Sequence, residues 1–175
     1  NKGVKTQSRG SFSVEEYRTI YTALRSYHKQ TTNEKSAATR ETLRNYVLFL
    51  ANTGVRHGTE ALGLKWRNIE WYARDGERYL AINVDGKTNK RTVIARDRVV
   101  DFLWRQAQLN PRIRAADFDA LIASKSAEPV FVTRLGAVAT VRNLNRAFNA
   151  LLAELNLKTG ADGRTRTLYS WRHFY

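Results

Sequence analysis

Three basic residues stand inside or beside apolar stretches of the sequence: Arg56, Lys87 and Arg172. Arginine carries a planar, always charged guanidinium that can hold two oxygens of one phosphate, whereas lysine is a compact proton donor on a long stem. Such a set could clamp a phosphodiester and protonate a leaving oxygen. Because phosphoryl transfer depends mainly on positioning and charge stabilisation, these residue types predict chemistry on a phosphodiester, given a nucleophile.

Each of these cations also has a purely structural interpretation. Arg56 follows a Thr-Gly pair and could bind loop carbonyls at a helix end. Lys87 could be a solvated turn lysine, and Arg172 could stack on the aromatic residues beside it. The residue types alone leave both interpretations open.

The charge balance favours a polyanionic partner. The chain of 175 residues contains 30 Lys and Arg against 16 Asp and Glu, a formal net charge of +14. A surplus of this size is typical of proteins that bind nucleic acid. An anionic membrane is the other candidate, but no apolar run is long enough to span a bilayer and no signal peptide is recognisable. We therefore expect a cytoplasmic protein whose partner is nucleic acid.

Cysteine and histidine usage argues against metal and disulfide chemistry. There is no cysteine, and the three histidines are scattered without ligand spacing, so we predict no metal and no other cofactor. Methionine is also absent, including at position 1, which suggests that the sequence is a piece of a longer protein or was processed.

Helical periodicity dominates the first third of the chain. It predicts helices over Val14–His28, Ala37–Asn52 and Thr59–Leu64. Ser13 and Glu16 form a capping box at the first of them, and Gly54 is a plausible C-terminal cap for the second. Arg56 would thus lie at the junction between two helices.

From Ile69 the period changes to that of strands. Three runs are rich in β-forming residues: Ile69–Arg74, Tyr79–Val84 and Arg91–Ile94. The pair Asp75-Gly76 predicts a tight hairpin turn between the first two. The second connection, "DGKTNK", places Lys87 near the tip of a small antiparallel sheet, which must pack on the helices because three strands cannot form a core alone.

Helical patterns return in the C-terminal half. They cover "RVVDFLWRQAQLN" before Pro111, the segment 118–124, "TVRNLNRAFNALLAELNL", and a helix start in "LYSWRHFY". Arg142 and Arg146 lie one turn apart on a stripe beside the apolar face; they could reach DNA, or they could be simply solvated. The predicted fold is mainly α with a small three-stranded antiparallel sheet: one domain over 12–175, preceded by a flexible segment, 1–11.

Three blocks of the sequence together resemble a known family. They are "TGVRHGTEALGLKWRNIE", "GKTNKRTVIA" and "LYSWRH", in that order and with helical segments between them. In this order they resemble the catalytic domain of tyrosine recombinases, the phage-integrase family. The resemblance covers roughly residues 12–175 and implies the recombinase catalytic-domain fold with an incomplete C-terminus.

The resemblance implies roles for the matched residues. Arg56 and Arg172 correspond to the two arginines that hold the non-bridging oxygens of the scissile phosphate. Lys87 corresponds to the lysine that protonates the departing 5′-hydroxyl. Tyr169 lies three residues before Arg172, where many members have histidine, and could still donate a hydrogen bond. Glu60 corresponds to the acidic residue that supports the first arginine.

Further positions follow with less direct matches. His173, next to Arg172, could line the pocket in support of the site, although a structural role is favoured for it, and the expected DNA contacts are Lys90, Arg91, Arg142 and Arg146. Glu60 departs from the family pattern, since it lies four residues after Arg56 where three is usual. The nucleophilic tyrosine of the family lies further along than this chain extends, and Tyr175 is too close to Arg172 to take that role.

The activity that the resemblance implies is site-specific recombination of double-stranded DNA, by integration or excision. A tyrosine would form a 3′-phosphotyrosyl bond, which conserves the phosphodiester energy so that neither ATP nor metal is needed. In the family the complete protein acts as a tetramer on DNA, and this piece alone would be inactive. Two alternatives remain: a non-catalytic DNA-binding module from a decayed or truncated integrase, and, less favoured, a type IB topoisomerase.

Overall fold

The computed structural model describes residues 10–175. Most of the N-terminal segment expected to be flexible, 1–11, therefore lies outside the described residues. Its last two members are held against the C-terminal part of the chain. The Gly10 N–H donates to the Thr165 carbonyl (3.4 Å), and the Ser11 carbonyl accepts from Arg166 Nε (3.0 Å).

The described chain is a helical assembly with one small sheet, as predicted. The helices are α1 (Val14–Leu24), α2 (Glu34–Thr53), α3 (Thr59–Leu62), α4 (Arg98–Leu109), α5 (Phe118–Ala123), α6 (Val141–Glu154) and α7 (Trp171–Phe174). The strands β1 (Ile69–Arg74), β2 (Glu77–Asp85) and β3 (Lys90–Ala95) form an antiparallel sheet in the order β1-β2-β3. No helix within residues 10–175 is long and apolar enough to cross a bilayer.

Helix α2 is the centre of the fold. It spans 20 residues and packs against α1, α4, α6 and α7, so its buried residues lie on several of its faces. It begins at Glu34, and the side-chain oxygen of the preceding N-cap residue, Asn33, accepts from the Ser36 N–H (2.9 Å). The predicted start at Ala37 was late because the first turn is polar and carries no apolar period; the cap marks the true start.

The first helix is shorter than predicted. It ends at Leu24 instead of His28, and a 3-10 turn follows over Tyr27–Gln30. The chain turns here because Tyr27 is buried: its hydroxyl donates to the Ala147 carbonyl (2.9 Å), and the guanidinium of Arg40 lies 4.0 Å from its ring centre. Tertiary contacts thus override the local helical period.

The sheet packs one face on the helices, as expected for a three-stranded sheet. Asp75 and Gly76 form the predicted hairpin turn with positive φ values of 53° and 79°. Residues on its inner face are buried in the common core: Ile69, Leu80, Ile82, Val84 and Val93. The strands β2 and β3 extend one or two residues beyond the predicted runs, which brings the start of β3 to Lys90.

Arg166 ties the C-terminal loop to the start of the domain, a role that the sequence did not indicate. Its side chain is only 6% exposed, and its Nη2 donates to both carboxylate oxygens of Glu16 (2.6 and 2.7 Å). Its Nη1 donates to the Leu157 carbonyl (3.1 Å). A buried guanidinium needs such partners because an unpaired buried charge is strongly destabilising.

Replacing Glu16 with glutamine tests this tie. Glu16→Gln keeps a capping-box side chain but leaves Arg166 without a counter-charge, so we expect the free energy of unfolding at pH 7 to fall by about 2 kcal/mol. The exposed neighbour variant Glu15→Gln is the control and should change it little. Urea denaturation measures both, and equal effects would contradict the assigned role.

The same variant should alter the pH dependence of stability. Burial acts to raise the pKa of Glu16, but hydrogen bonds from Ser13 and Arg166 and the charge of Arg166 outweigh it, so the pKa lies below its ordinary 4.5. A depressed folded-state pKa stabilises the protein fully above pH 4.5, and this stabilisation is lost as the pH falls through the folded value. The difference between wild type and Glu16→Gln should therefore shrink below pH 4.

Candidate active site

The loop that carries Arg56 begins where α2 ends. Gly54 adopts the left-handed conformation (φ 64°), as its predicted role as a C-cap requires. A Cβ at this position would lie 2.5 Å from Cδ1 of Tyr175, so the position needs glycine for space as well as for its backbone. The chain then reverses into α3, and Arg56 lies in the turn.

Glu60 closes this turn. Its carboxylate accepts from the backbone N–H of Arg56 (2.9 Å) and from Nη1 of the same residue (3.2 Å). It also accepts from Nη2 of Arg91 on β3 (2.8 Å). The Glu60 side chain is 4% exposed, so one buried carboxylate holds two guanidinium groups that come from different parts of the fold.

The electrostatics of Glu60 follow from these contacts. Burial acts to raise its pKa, but the hydrogen bonds from Arg56 and Arg91 and the positive charges of both residues outweigh burial and lower the pKa below its ordinary value. Glu60 is therefore an anion at neutral pH. A carboxylate that is charged at neutral pH fixes the direction of both guanidinium groups.

Arg172 reaches the same end of α2 from the C-terminal helix. Its Nη1 donates to the Gly54 carbonyl (2.8 Å), two residues before Arg56. The preceding residue, Trp171, anchors α7 because its indole is fully buried and stacks on Phe12 with ring centres 4.3 Å apart. Two arginines far apart in sequence are thus placed at one helix terminus.

The loop between β2 and β3 lies against this cluster. A Cβ built on Gly86 would lie 3.1 Å from Oε1 of Glu60 and 3.9 Å from Nη1 of Arg56. The missing side chain lets the loop backbone approach the two charged groups. Lys87, the next residue, is exposed. The structure therefore positions the Lys87 loop beside Arg56.

Two open clefts flank the junction between α2 and α3. One cleft, of about 510 Å³, is lined by Thr53, Gly54, Arg91, Thr92, Val93, Ile94, Arg172 and Tyr175. The other, of about 390 Å³, is lined by His57, Gly58, Thr59, Val141, Asn145, Asn149, Thr167 and Tyr169. Tyr169 therefore opens to a different cleft from Arg172, and its ring makes an edge contact with His173 (6.1 Å between centres).

The expected DNA-contacting residues fall into two places. Arg91 belongs to the cluster through its ion pair with Glu60, whereas Lys90 is 89% exposed and lies 3.9 Å from Asp85. Arg142 and Arg146 are exposed on α6. Arg146 lines a further cavity of about 420 Å³ that also contains Lys35 and Arg40. The basic stripe of α6 thus continues onto the start of α2.

Sequence reasoning missed two contacts that shape the site. The first is the pairing of Arg91 with Glu60, which no local spacing signals. The second is Tyr46 on α2: its hydroxyl lies 2.7 Å from Nδ1 of His57 and accepts from the Gly58 N–H (3.1 Å). Burial raises the pKa of Tyr46, so it remains neutral and holds the turn after Arg56. In the sequence this tyrosine reads as an ordinary core residue.

The arrangement suits an anionic ligand. Two guanidinium groups share the Glu60 carboxylate, the third, of Arg172, binds a backbone carbonyl, and a lysine lies on the adjoining loop, so the cluster retains net positive charge at an open surface. Within residues 10–175, no group of three or more His, Asp or Glu side chains is placed to hold a metal ion. The donors present are those that bind phosphate oxygens directly.

Neither a protein-family model nor a curated protein matches this chain.

Removing the charge of Glu60 tests the architecture of the cluster. Glu60→Gln leaves Arg56 and Arg91 facing each other without a counter-charge, so we expect the free energy of unfolding at pH 7 to fall by about 3 kcal/mol. The control is Glu70→Gln on β1, an exposed carboxylate whose ion pair with Lys125 should contribute under about 1 kcal/mol.

The pH dependence provides a second measurement. Because the folded-state pKa of Glu60 is depressed, its contribution is complete above the ordinary value of 4.5 and is lost as the pH falls through the lower folded value. Urea titrations from pH 7 to pH 3 should show wild type and Glu60→Gln converging at the acid end. Parallel curves would mean that Glu60 is not the counter-charge of the cluster.

Proposed function

We propose that this protein binds double-stranded DNA and acts on its phosphodiester backbone. The formal charge of +14 supplies the general attraction to DNA, and the contacts to Glu60 and Gly54 pre-orient guanidinium groups at one open site. Phosphoryl transfer gains most from such positioning of charge, because little of the covalent chemistry falls to the protein.

More narrowly, we propose that it is the catalytic domain of a tyrosine recombinase, which cuts and rejoins DNA at specific sites. The observation that carries this proposal is the hydrogen bond from Arg172 to Gly54, which brings the second arginine of the resemblance to within two residues of Arg56. The order of the three sequence blocks supports it. Recombination by integration or excision is the expected outcome, in a tetramer of the complete protein on DNA.

The proposed reaction assigns one step to each group. A tyrosine hydroxyl, contributed from outside residues 1–175, attacks the phosphorus, and the bond to the 5′-oxygen breaks. Arg56 and Arg172 stabilise the charge that develops on the non-bridging oxygens. Lys87 gives its proton to the departing 5′-oxygen. A 5′-hydroxyl from another strand then attacks the phosphorus of the 3′-phosphotyrosyl group and gives its proton to the neutral Lys87; this restores a phosphodiester and releases the tyrosine, whose oxygen regains from solvent the proton that it lost there on attack.

The remaining residues support these steps. Glu60 orients Arg56 and Arg91 through the contacts described above, and Gly86 lets the Lys87 loop approach them. Lys90, Arg142 and Arg146 would bind backbone phosphates along the duplex, away from the bond that is cut. Their contribution is to affinity and register.

A non-catalytic DNA-binding module is the second candidate, and one observation favours it. Tyr169 stands where many recombinases have histidine, and it opens to the cleft beside His57 instead of the cleft that Arg172 lines. A neutral phenol is a weak proton-transfer partner near pH 7. If the protein binds DNA but never forms a covalent bond to it, this candidate is correct.

The role of Arg172 predicts a separation of cutting from binding. In a protein that continues past Tyr175, Arg172→Ala should reduce covalent attachment to a nicked suicide duplex by about 100-fold or more, as loss of one transition-state donor does. Duplex affinity and its salt dependence should change little, because many other cations contribute to them. Filter binding and gel analysis of trapped complexes measure the two quantities.

The matched control is Arg114→Ala, which removes an exposed arginine from the surface. It should retain attachment at the wild-type level. An Arg172→Ala protein that loses binding and attachment in the same proportion would contradict the assigned role. If neither the wild type nor any variant becomes covalently attached to DNA while duplex binding is intact, the protein is the non-catalytic module.

The role of Lys87 predicts a dependence on the leaving group. Lys87→Ala should slow cleavage of a normal strand by about 100-fold, the usual scale for general acid catalysis. A 5′-thiolate is a leaving group that needs no protonation. The variant should therefore cleave a substrate with sulfur in place of the 5′-oxygen at nearly the wild-type rate. Lys90→Ala is the comparison, since it should weaken the binding of both substrates alike. Equal losses of cleavage rate on the two substrates with Lys87→Ala would contradict the general-acid role.

A further inference from the structure

A second cationic site lies between α1, α2 and α4. It is a cavity of about 240 Å³ that four arginines line, together with apolar and tyrosine side chains; the arginines are Arg25, Arg44, Arg98 and Arg105. Arg44 precedes Gly54 by ten residues on α2, about 15 Å along the helix axis at 1.5 Å per residue. The cavity shares no lining residue with the two clefts of the candidate active site.

The arginines of this pocket lack the acidic partners that three other partly buried arginines have. Arg91, Arg134 and Arg166 each pair with a glutamate at 2.8 Å or less. In the part of the chain that the structure describes, none of the four pocket arginines forms an ion pair with a carboxylate. Nη2 of Arg105 and Nε of Arg44 are buried without any hydrogen-bond partner among the described residues.

A buried amide network fixes the direction of Arg105. Its Nε donates to Oδ1 of Asn45 (2.6 Å), and Nδ2 of Asn45 donates to Oε1 of Gln106 (3.1 Å). Nε2 of Gln106 in turn donates to the Val132 carbonyl (2.8 Å). Asn45 and Gln106 are buried, so the guanidinium is held by a rigid support, and its Nη2 has no hydrogen-bond partner among the described residues.

The positive charges in the pocket repel one another. Burial, together with the nearby positive charges of Arg44 and Arg25, lowers the pKa of Arg105 to about 10, against a smaller opposing effect of Asp101. Burial and Arg25 also lower the pKa of Arg44. Arg98 begins α4, where the helix dipole disfavours a cation. An anion in the pocket would relieve all of these effects at once.

We propose that this pocket binds a phosphate group. Inorganic phosphate or a phosphate monoester carries nearly two negative charges and three strong acceptor oxygens, and a phosphodiester carries one charge on two such oxygens; both can bind several guanidinium forks at once. The cavity is smaller than the roughly 300 to 1,000 Å³ typical of sites for drug-sized ligands, so it fits one such group and not a bulky ligand. The proposal does not depend on the strand-cutting function.

The phosphate group can come from two sources, a small phosphate compound or the backbone of duplex DNA. Thermal unfolding of the 175-residue chain with inorganic phosphate, at ionic strength matched with sodium chloride, tests the pocket itself. We expect the Tm to rise by about 3 °C at a tenfold excess over Kd. Arg44→Gln/Arg105→Gln should abolish this rise, and Arg67→Gln/Arg114→Gln, which removes two exposed arginines, should retain it.

A second double variant guards against misfolding. Arg25 and Arg98 are exposed at the rim of the pocket, so Arg25→Gln/Arg98→Gln should fold normally and still lose most of the phosphate-dependent rise. A purely structural role for the arginines predicts lower stability without phosphate and an unchanged response to it. The same rise in all variants, or no rise in wild type, would overturn the proposal.

Duplex binding distinguishes the two sources. If DNA supplies the phosphate, Arg25→Gln/Arg98→Gln should weaken duplex affinity and lower the salt slope by more than the control Arg67→Gln/Arg114→Gln does. If a small compound supplies it, the two variants should bind duplex alike while only the rim variant loses the response to phosphate. Neither result bears on Arg172, so failure here is separable from failure of the proposed reaction.

Discussion

The end of α2 is the point on which the candidate site depends. Gly54 turns left-handed, and this frees its carbonyl to accept from Arg172 and directs the chain back so that Arg56 meets Glu60. A side chain at Gly54 would collide with Tyr175, so the same residue also sets how closely the C-terminal helix approaches. One helix terminus therefore positions two cations that are far apart in the sequence.

Bringing like charges together requires compensation, and the two cationic sites differ in how they obtain it. At the candidate active site, Glu60 offsets Arg56 and Arg91, and a backbone carbonyl receives Arg172. These contacts leave the cluster cationic but rigid. In the pocket of Arg44 and Arg105 the support comes from the neutral amide of Asn45, which orients without neutralising. The first site has a carboxylate in direct contact with two of its arginines, whereas among the described residues no carboxylate forms an ion pair with the arginines of the second.

The boundaries of helices and strands were predicted well where a capping or turn residue marks them. The capping box at Ser13, the left-handed Gly54 and the turn at Asp75-Gly76 each mark a boundary that the structure has. Boundaries were wrong where tertiary burial decides, as at Tyr27, which ends the first helical run by turning inward. The contact of Arg56 with Glu60 was expected from the family resemblance and not from helical spacing, because Arg56 precedes the start of α3.

Contacts between distant elements were beyond the sequence. Arg91 and Glu60, Arg166 and Glu16, and the arginines around Arg44 come from separate segments whose approach depends on how the helices pack. In each case an isolated arginine reads as a solvated surface charge, and only the fold shows whether an acid lies opposite it. The difference matters for function, because a guanidinium without a counter-charge gains more free energy from an anionic ligand than one that already pairs with a carboxylate.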